Sequence, residues 1–360
     1  MRTFNFAAGP AMLPPEVVQR VRAELPDGQR GGMSVLELPF TGRGFREIAA
    51  AAQRDLGELL GVPPHYRILF MHGGASAQFA AVPLNLAGPL DKADYIETGH
   101  WARKAVREAG RYCDARVAAS GAAEGFTRVP MQDEWRLSAD AAYCHITTNE
   151  TANGLEYHWT PDTGGVPLVA DMSSNFLAGP IDVSRYGLIY AAAQKNIGTA
   201  GLAIVIVRAD LLDRRQCAAP SVLNYSVQAA SDSMYNTPPI FAVYVAGLVF
   251  DWLKRQGGLT AMARINRRKS ARLYDAIDRS GGFYRCPVAR ADRSRVNVCF
   301  TVAEGRLEAE FLRQAEEEGL LNLKGHSAVG GIRASLYNAM PEEGVAALAD
   351  FMQHFAARYG

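Results

Sequence analysis

VPLVADMSSNFLAGPIDVSRYGLIYAAAQKNIGTAGLAIVIV, residues 166–207, is the stretch whose reading decides the fold. It contains three apolar runs, VPLVAD (166–171), GLIYAAA (187–193) and GLAIVIV (201–207). None alternates between polar and apolar residues. Runs of this kind suit strands covered on both faces, as in a mainly parallel sheet lying between helices. RILFM (67–71), ADYIET (93–98) and AAYCHIT (141–147) read as further strands. Helices are expected at 16–25, 44–60, 76–87, 101–110, 239–256 and 259–279. Pro238-Pro239 marks a loop running into one of these helices, since proline is tolerated in a first turn.

After about residue 262 the texture changes. A basic helix leads to strand VNVCFTV (296–302), a charged helix (306–318), strand GIRASL (331–336) and a last helix (342–357). The expected division is a large domain at 16–262 and a small α+β domain formed by 1–15 with 263–360. The bulk numbers agree with a globular chain: 360 residues, 48% hydrophobic, 21% charged, formal net charge +1. No basic block argues for nucleic acid or a membrane surface. GLAIVIV is far too short to span a bilayer, and the N-terminus does not read as a signal peptide. Five scattered cysteines (Cys113, Cys144, Cys217, Cys286, Cys299) fit reduced thiols in a cytoplasmic protein. No His or Cys spacing suggests a metal site.

Several residues lie where open α/β sheets bind ligands, at the carboxyl ends of strands. Lys195 follows one apolar run and precedes another. It is either a solvated loop lysine or a partly desolvated amine able to attack an aldehyde. Asp171 ends the neighbouring strand. It is either a turn cap or the partner of the protonated ring nitrogen of pyridoxal phosphate (PLP), where a carboxylate keeps the ring an electron sink. His72-Gly73-Gly74-Ala75-Ser76 opens a helix, and backbone N–H groups there suit a phosphate. Trp101 stands at another helix start, as a core residue or a ring to stack on the cofactor. Thr151 lies in a polar loop, and Arg333 on a small-domain strand where a guanidinium can grip a carboxylate.

Taken together, FNFAAGPAMLP, HGGASAQFAAVPLN, GHWA, ITTNET, ADMSSN, PIDVSRYGLIYAAAQKNIG, NTPPIF and KGHSAVGGIRASLYNAMP resemble the phosphoserine aminotransferase family nearly end to end. The resemblance implies the type I fold of PLP enzymes, with a seven-stranded sheet, and a cytoplasmic homodimer. It implies amino transfer between glutamate and 3-phosphohydroxypyruvate, in serine biosynthesis. The family also acts on 3-hydroxy-2-oxo-4-phosphooxybutanoate, in pyridoxine synthesis. By matching position, Lys195 would bond the cofactor aldehyde, Asp171 the ring nitrogen and Thr151 the phenolic oxygen, with Trp101 stacked on the ring. Ala75, Ser76 and Gln194 would serve the cofactor phosphate, joined by Asn236 and Thr237 of the partner subunit. Arg333 would take the substrate α-carboxylate.

The departures from the family pattern cluster on one function. Where relatives carry a Ser-His-Arg run that binds the substrate's phosphate, this chain has Pro39-Phe40-Thr41. A Gly-His-Arg/Lys run, taken to come from the partner subunit, is here Gly325-His326-Ser327. Charge-assisted hydrogen bonds are worth roughly 1.5–3 kcal/mol each. Losing two would cost about two to four powers of ten. Either Arg43 takes over after a loop shift, or the enzyme is a paralogue for an unphosphorylated or less charged oxo acid. Two other classes compete: a lyase or desulfurase of the same fold, which would need a reactive cysteine in a mobile loop, and a non-catalytic binding protein, which would be expected to lose Lys195 or Asp171.

Overall fold

The computed structural model of the chain describes residues 3–26, 32–212 and 219–360; Cys217 lies outside them. Seven strands form the central sheet: β1 Tyr66–His72, β2 Lys92–Glu97, β3 Asp114–Ser120, β4 Cys144–Thr147, β5 Leu168–Asp171, β6 Leu188–Ala192 and β7 Leu202–Arg208. Their order across the sheet is β1-β7-β6-β5-β4-β2-β3. Strand β7 runs antiparallel to both neighbours, and every other pairing is parallel. Only residues 193–201 separate β6 from β7. A parallel crossover needs a dozen or more residues, so β7 must reverse.

The apolar runs are explained by what each face meets. Strand β7 gives Ile204 and Ile206 to one core and Val205 and Val207 to the other. Strand β6 divides in the same way, with Ile189 and Ala191 on one side and Leu188 and Tyr190 on the other. Helices α1 Pro15–Glu24, α2 Arg43–Leu60 and α6 Ile240–Arg255 cover the first face. Helices α3 Gly74–Leu86 and α4 His100–Ala109 cover the second, with the short α5 Tyr225–Ala230 beside them. Helix α7 Gly258–Asp278 follows.

Beyond α7, β8 Tyr284–Arg285, β9 Asn297–Val302 and β10 Ile332–Ser335 form an antiparallel sheet packed against α8 Glu308–Glu317 and α9 Glu342–Tyr359. The N-terminal Phe4–Asn5 pairs in parallel with Leu320–Leu321, and Phe4 and Phe6 are buried in this second core. Helix α7 serves both cores: Leu259 and Met262 face the large one, Leu273 and Ile277 the small one. Between them, buried Lys269 donates from Nζ to the carbonyl oxygens of Leu336 (2.9 Å), Tyr337 (2.8 Å) and Met340 (3.0 Å). No described helix is long and apolar enough to cross a membrane.

Candidate active site

Strands β5 and β6 pair in parallel, so Asp171 at the end of β5 and Lys195, three residues past β6, emerge at the same edge of the sheet. Lys195 Nζ donates to Thr151 Oγ1 at 2.6 Å and lies 5.2 Å from the Trp101 ring centroid. Burial pushes the pKa of Lys195 down to about 8, and Asp171 and Glu150 oppose that shift while Arg333 adds to it. Asp171 is itself buried, which raises its pKa; the charge of Lys195 and hydrogen bonds from Ser173 and Tyr190 pull the other way. The Ser173 N–H reaches Asp171 Oδ1 at 2.8 Å. Behind the aspartate, the Tyr190 hydroxyl also meets His145 Nε2 at 2.8 Å. His145 stacks on Tyr95 at 4.8 Å, and burial lowers its pKa to about 3, so it is neutral.

The glycine-rich turn is built as its sequence demands. Gly73 and Gly74 have φ of 90° and 61°, and a side chain on Gly73 would stand 2.5 Å from Ala77 Cβ. Helix α3 begins at once, with Ala75 and Ser76 in its first turn. From the other side, the N-terminal segment closes on the lysine loop. The Ala11 N–H donates to Gln194 O at 3.0 Å, and a Cβ on Gly9 would lie 3.3 Å from Gln194 Cγ and 3.4 Å from Lys195 Cγ. Two buried donors, Trp101 Nε1 and Arg333 Nε, have no hydrogen-bond partner.

Glu150 is a site residue that sequence reasoning missed. It is fully buried, and its carboxylate accepts the backbone N–H groups of Trp101 (3.0 Å) and Ala102 (2.8 Å) at the start of α4. Burial raises its pKa to about 7. Its place beside Thr151 was the only signal, and a glutamate in a polar loop reads as solvated until the fold is known.

His326 required a correction. The resemblance drew its segment from the partner subunit, but its ring lies 5.9 Å from Trp101 and 4.5 Å from His100 of its own chain. The reason is local: Gly325 N–H donates to Gly331 O, and Lys324 bridges Ile332, so the loop folds back beside Arg333. Among the described residues, Lys195 makes its hydrogen bond and ring contact with Thr151 and Trp101 and not with Phe40, Thr41, Arg43, Asn236 or Thr237 of the same chain. Phe40 packs on the core beneath α2 and α6, and Thr41 is exposed. Arg43 opens α2, pairs with Glu47 at 2.6 Å and keeps 90% of its side chain exposed. Asn236 and Thr237 are exposed, and the Thr237 carbonyl accepts from His72 Nε2 at 2.9 Å. A cavity of about 450 Å³ lined by Trp159, Asn175, Tyr186, Arg267 and Arg295 includes none of these residues.

A lysine and an aspartate at the ends of adjacent parallel strands, with an indole 5.2 Å from the lysine's amine and a glycine-rich helix start, define a type I aminotransferase fold and site. The comparisons with known proteins agree. The Aminotransferase class-V family model matches residues 3–348. The phosphoserine aminotransferase of Acidithiobacillus ferrooxidans is 54% identical over 357 residues, covering 99% of each chain. The solved phosphoserine aminotransferase of Bacillus circulans subsp. alkalophilus superposes with a TM-score of 0.98 at 45% identity, covering 100% of this chain and 99% of that one. A PLP-bound phosphoserine aminotransferase from Trichomonas vaginalis gives 0.92 at 40% identity, over 98% of this chain and 100% of its own. The chain belongs to the class-V aminotransferases and, within them, to the phosphoserine aminotransferase family.

Proposed function

We propose that this chain is a PLP-dependent transaminase that exchanges an amino group between glutamate and 3-phosphohydroxypyruvate, giving 2-oxoglutarate and O-phospho-L-serine. The observation that carries the chemistry is Lys195, held by Thr151 and Trp101 with its pKa lowered to about 8. The full-length likeness to phosphoserine aminotransferases supports the substrate.

The residues present fit the cofactor. Asp171 is a buried carboxylate that needs a cationic partner, and a protonated ring nitrogen is one. The left-handed Gly73-Gly74 turn leaves the backbone N–H groups at the start of α3 open to an anion. PLP, when bound, supplies an aldehyde that bonds a primary amine and a ring that stores the electron pair left when a Cα–H bond breaks. The chain does the rest. Near pH 8 a large fraction of Lys195 is neutral and able to attack a carbonyl. Thr151, whose Oγ1 accepts from Lys195 Nζ at 2.6 Å, would hold the ring's phenolic oxygen. Arg333, with its unused Nε, takes the α-carboxylate and sets the Cα–H bond near Lys195. With the cofactor bound, Lys195 would be the base that takes the proton from the substrate's Cα and returns it.

The exposed Asn236 and Thr237 suit the surface of a homodimer in which they complete the partner's phosphate cup. The cytoplasm is the compartment that fits this role and the free thiols of Cys113, Cys144, Cys286 and Cys299. The test is a half-reaction screen: holoenzyme is mixed with phosphoserine, glutamate and uncharged amino acids, and conversion to the pyridoxamine form is followed by absorbance. Phosphoserine and glutamate should convert the cofactor fastest. A protein that takes up no PLP, or whose borohydride-reduced cofactor maps to a lysine other than Lys195, would end the reading.

A further inference from the structure

The positions expected to bind the substrate's phosphate hold Phe40, Thr41 and Ser327, none of them charged. Arg43 does not make up the loss within its own chain, because it is turned to solvent and paired with Glu47. A phosphate drawn out of water needs charged or hydrogen-bonding partners, so the missing charge has to be supplied from somewhere.

Two imidazoles and one ammonium gather around the Trp101 ring. His100 and Lys104 stand four residues apart on the first turns of α4, and so share one face. The His100 ring lies 4.5 Å from that of His326. Lys104 Nζ lies 5.1 Å from the centroid of Trp101, the ring that His326 meets at 5.9 Å. Burial lowers the pKa of both imidazoles, and the positive charges of Arg333, Lys104 and Lys195 near His326, and of His326, Lys104 and Arg103 near His100, add to the shift, so both rings favour the neutral form until an anion arrives. Arg103 is paired with Glu97 at 2.7 Å. Among the described residues Lys104 has no ion-pair partner. An ammonium without an ion-pair partner, flanked by two imidazoles beside the catalytic lysine, offers charge and hydrogen-bond donors to an anion.

We infer that His100, Lys104 and His326 of one chain together bind the distal anionic group of the substrate. His326 is the member expected from the family pattern; His100 and Lys104 are the added ones. The inference rests on the transaminase reading above and specifies its substrate contacts. The α-carboxylate is held by Arg333, and the same three side chains serve the phosphate of phosphoserine and the γ-carboxylate of glutamate.

The experiment measures half-reaction saturation with phosphoserine, glutamate and alanine for the wild-type holoenzyme and for His100→Ala, Lys104→Met and Lys104→Arg. Inhibition by inorganic phosphate is measured alongside. His100→Ala and Lys104→Met should each raise the half-saturating concentration of phosphoserine about tenfold more than they change that of alanine, with glutamate between the two. They should weaken inhibition by inorganic phosphate in parallel, and Lys104→Arg should restore most of the loss. The cofactor's visible spectrum checks that each variant is folded and loaded. If phosphoserine saturation tracks alanine in both variants, the inference is overturned and the transaminase reading stands. If wild-type enzyme does not convert phosphoserine, the substrate reading fails instead. Glutamate then decides the inference, and glutamate saturation unchanged by both substitutions overturns it.

Discussion

The carboxylate of Glu150 accepts the backbone N–H of Trp101 at 3.0 Å, although the two residues stand 49 positions apart in the chain. A helix leaves its first N–H groups without internal partners, and α4 has no side-chain cap of its own at Gly99. Glu150 fills that role from another loop. It also explains the glycine: a Cβ at Gly99 would lie 2.7 Å from Glu150 Cδ. Thr151, next in sequence, holds Lys195. One buried carboxylate therefore ties the indole above the site to the hydroxyl beside the lysine.

Glu150→Ala should destabilise the apoenzyme by about 3 kcal/mol, because it leaves two helix N–H groups buried without partners. Denaturant unfolding with and without PLP measures this. The loss should be larger in the loaded enzyme, since a loosened Trp101 also weakens cofactor binding. Equal losses in both forms would show that Glu150 supports the fold without supporting the site.

The lowered pKa of Lys195 predicts a pH dependence with a definite sign. Its pKa is about 8 in the folded chain and 10.5 for an ordinary lysine. Between those values the unfolded chain binds a proton that the native chain does not, so apoenzyme stability gains from rising pH across that window. The rate at which Lys195 is acylated in the apoenzyme should inflect near pH 8, read by mass spectrometry of its peptide. In Asp171→Asn the inflection should move lower, because the Asp171 charge holds the lysine's pKa up. An inflection near 10.5 would mean the amine is solvated.

Much of this was legible in the sequence, and the exceptions have physical reasons. Runs buried on both faces announced β5, β6 and β7, and α2, α6 and α9 lie within a residue or two of their expected bounds. Strand β3 was missed because it is the sheet's edge: DARVAAS buries only Ala118, so it has no apolar run to read. The reversal of β7 was hidden, since composition reports burial and not direction. Lys195, Asp171, Thr151 and Trp101 were legible as candidates because they end or follow strong elements. Glu150, Tyr190 and His145 were not, because each does its work through a partner distant in sequence. The place of His326 was misjudged for the same reason, as its loop is positioned by bonds to Gly331 and Ile332 rather than by its own sequence.

Tyr190 is a positioning residue for Asp171. Its hydroxyl reaches the carboxylate on one side and His145 Nε2 on the other. Tyr190→Phe removes one hydrogen bond from Asp171, a loss of about 1–2 kcal/mol. Cofactor affinity should fall roughly tenfold, while the saturating concentrations of amino donors stay within about twofold. Titration of apoenzyme with PLP, beside steady-state kinetics, separates the two effects. Unchanged cofactor affinity would show that Ser173 holds Asp171 without help.

Lys269 makes the last prediction, on the stability of the joint between the two cores. Its ammonium has three donors, and three carbonyl oxygens stand at 2.8–3.0 Å. A neutral amine has only two, so the geometry calls for the charged form even though burial pushes the pKa down to about 7. Those carbonyls belong to the segment just past β10, within five residues of the strand that carries Arg333 at its second position. Lys269→Met keeps the volume of the side chain but leaves Leu336, Tyr337 and Met340 without that donor. The expected cost is about 3 kcal/mol or more, seen as a lower denaturation midpoint. Because α7 also anchors the large core through Leu259 and Met262, the two cores should lose stability together. Two separated unfolding transitions in the variant would show that the latch, rather than the apolar stripe of α7, couples them.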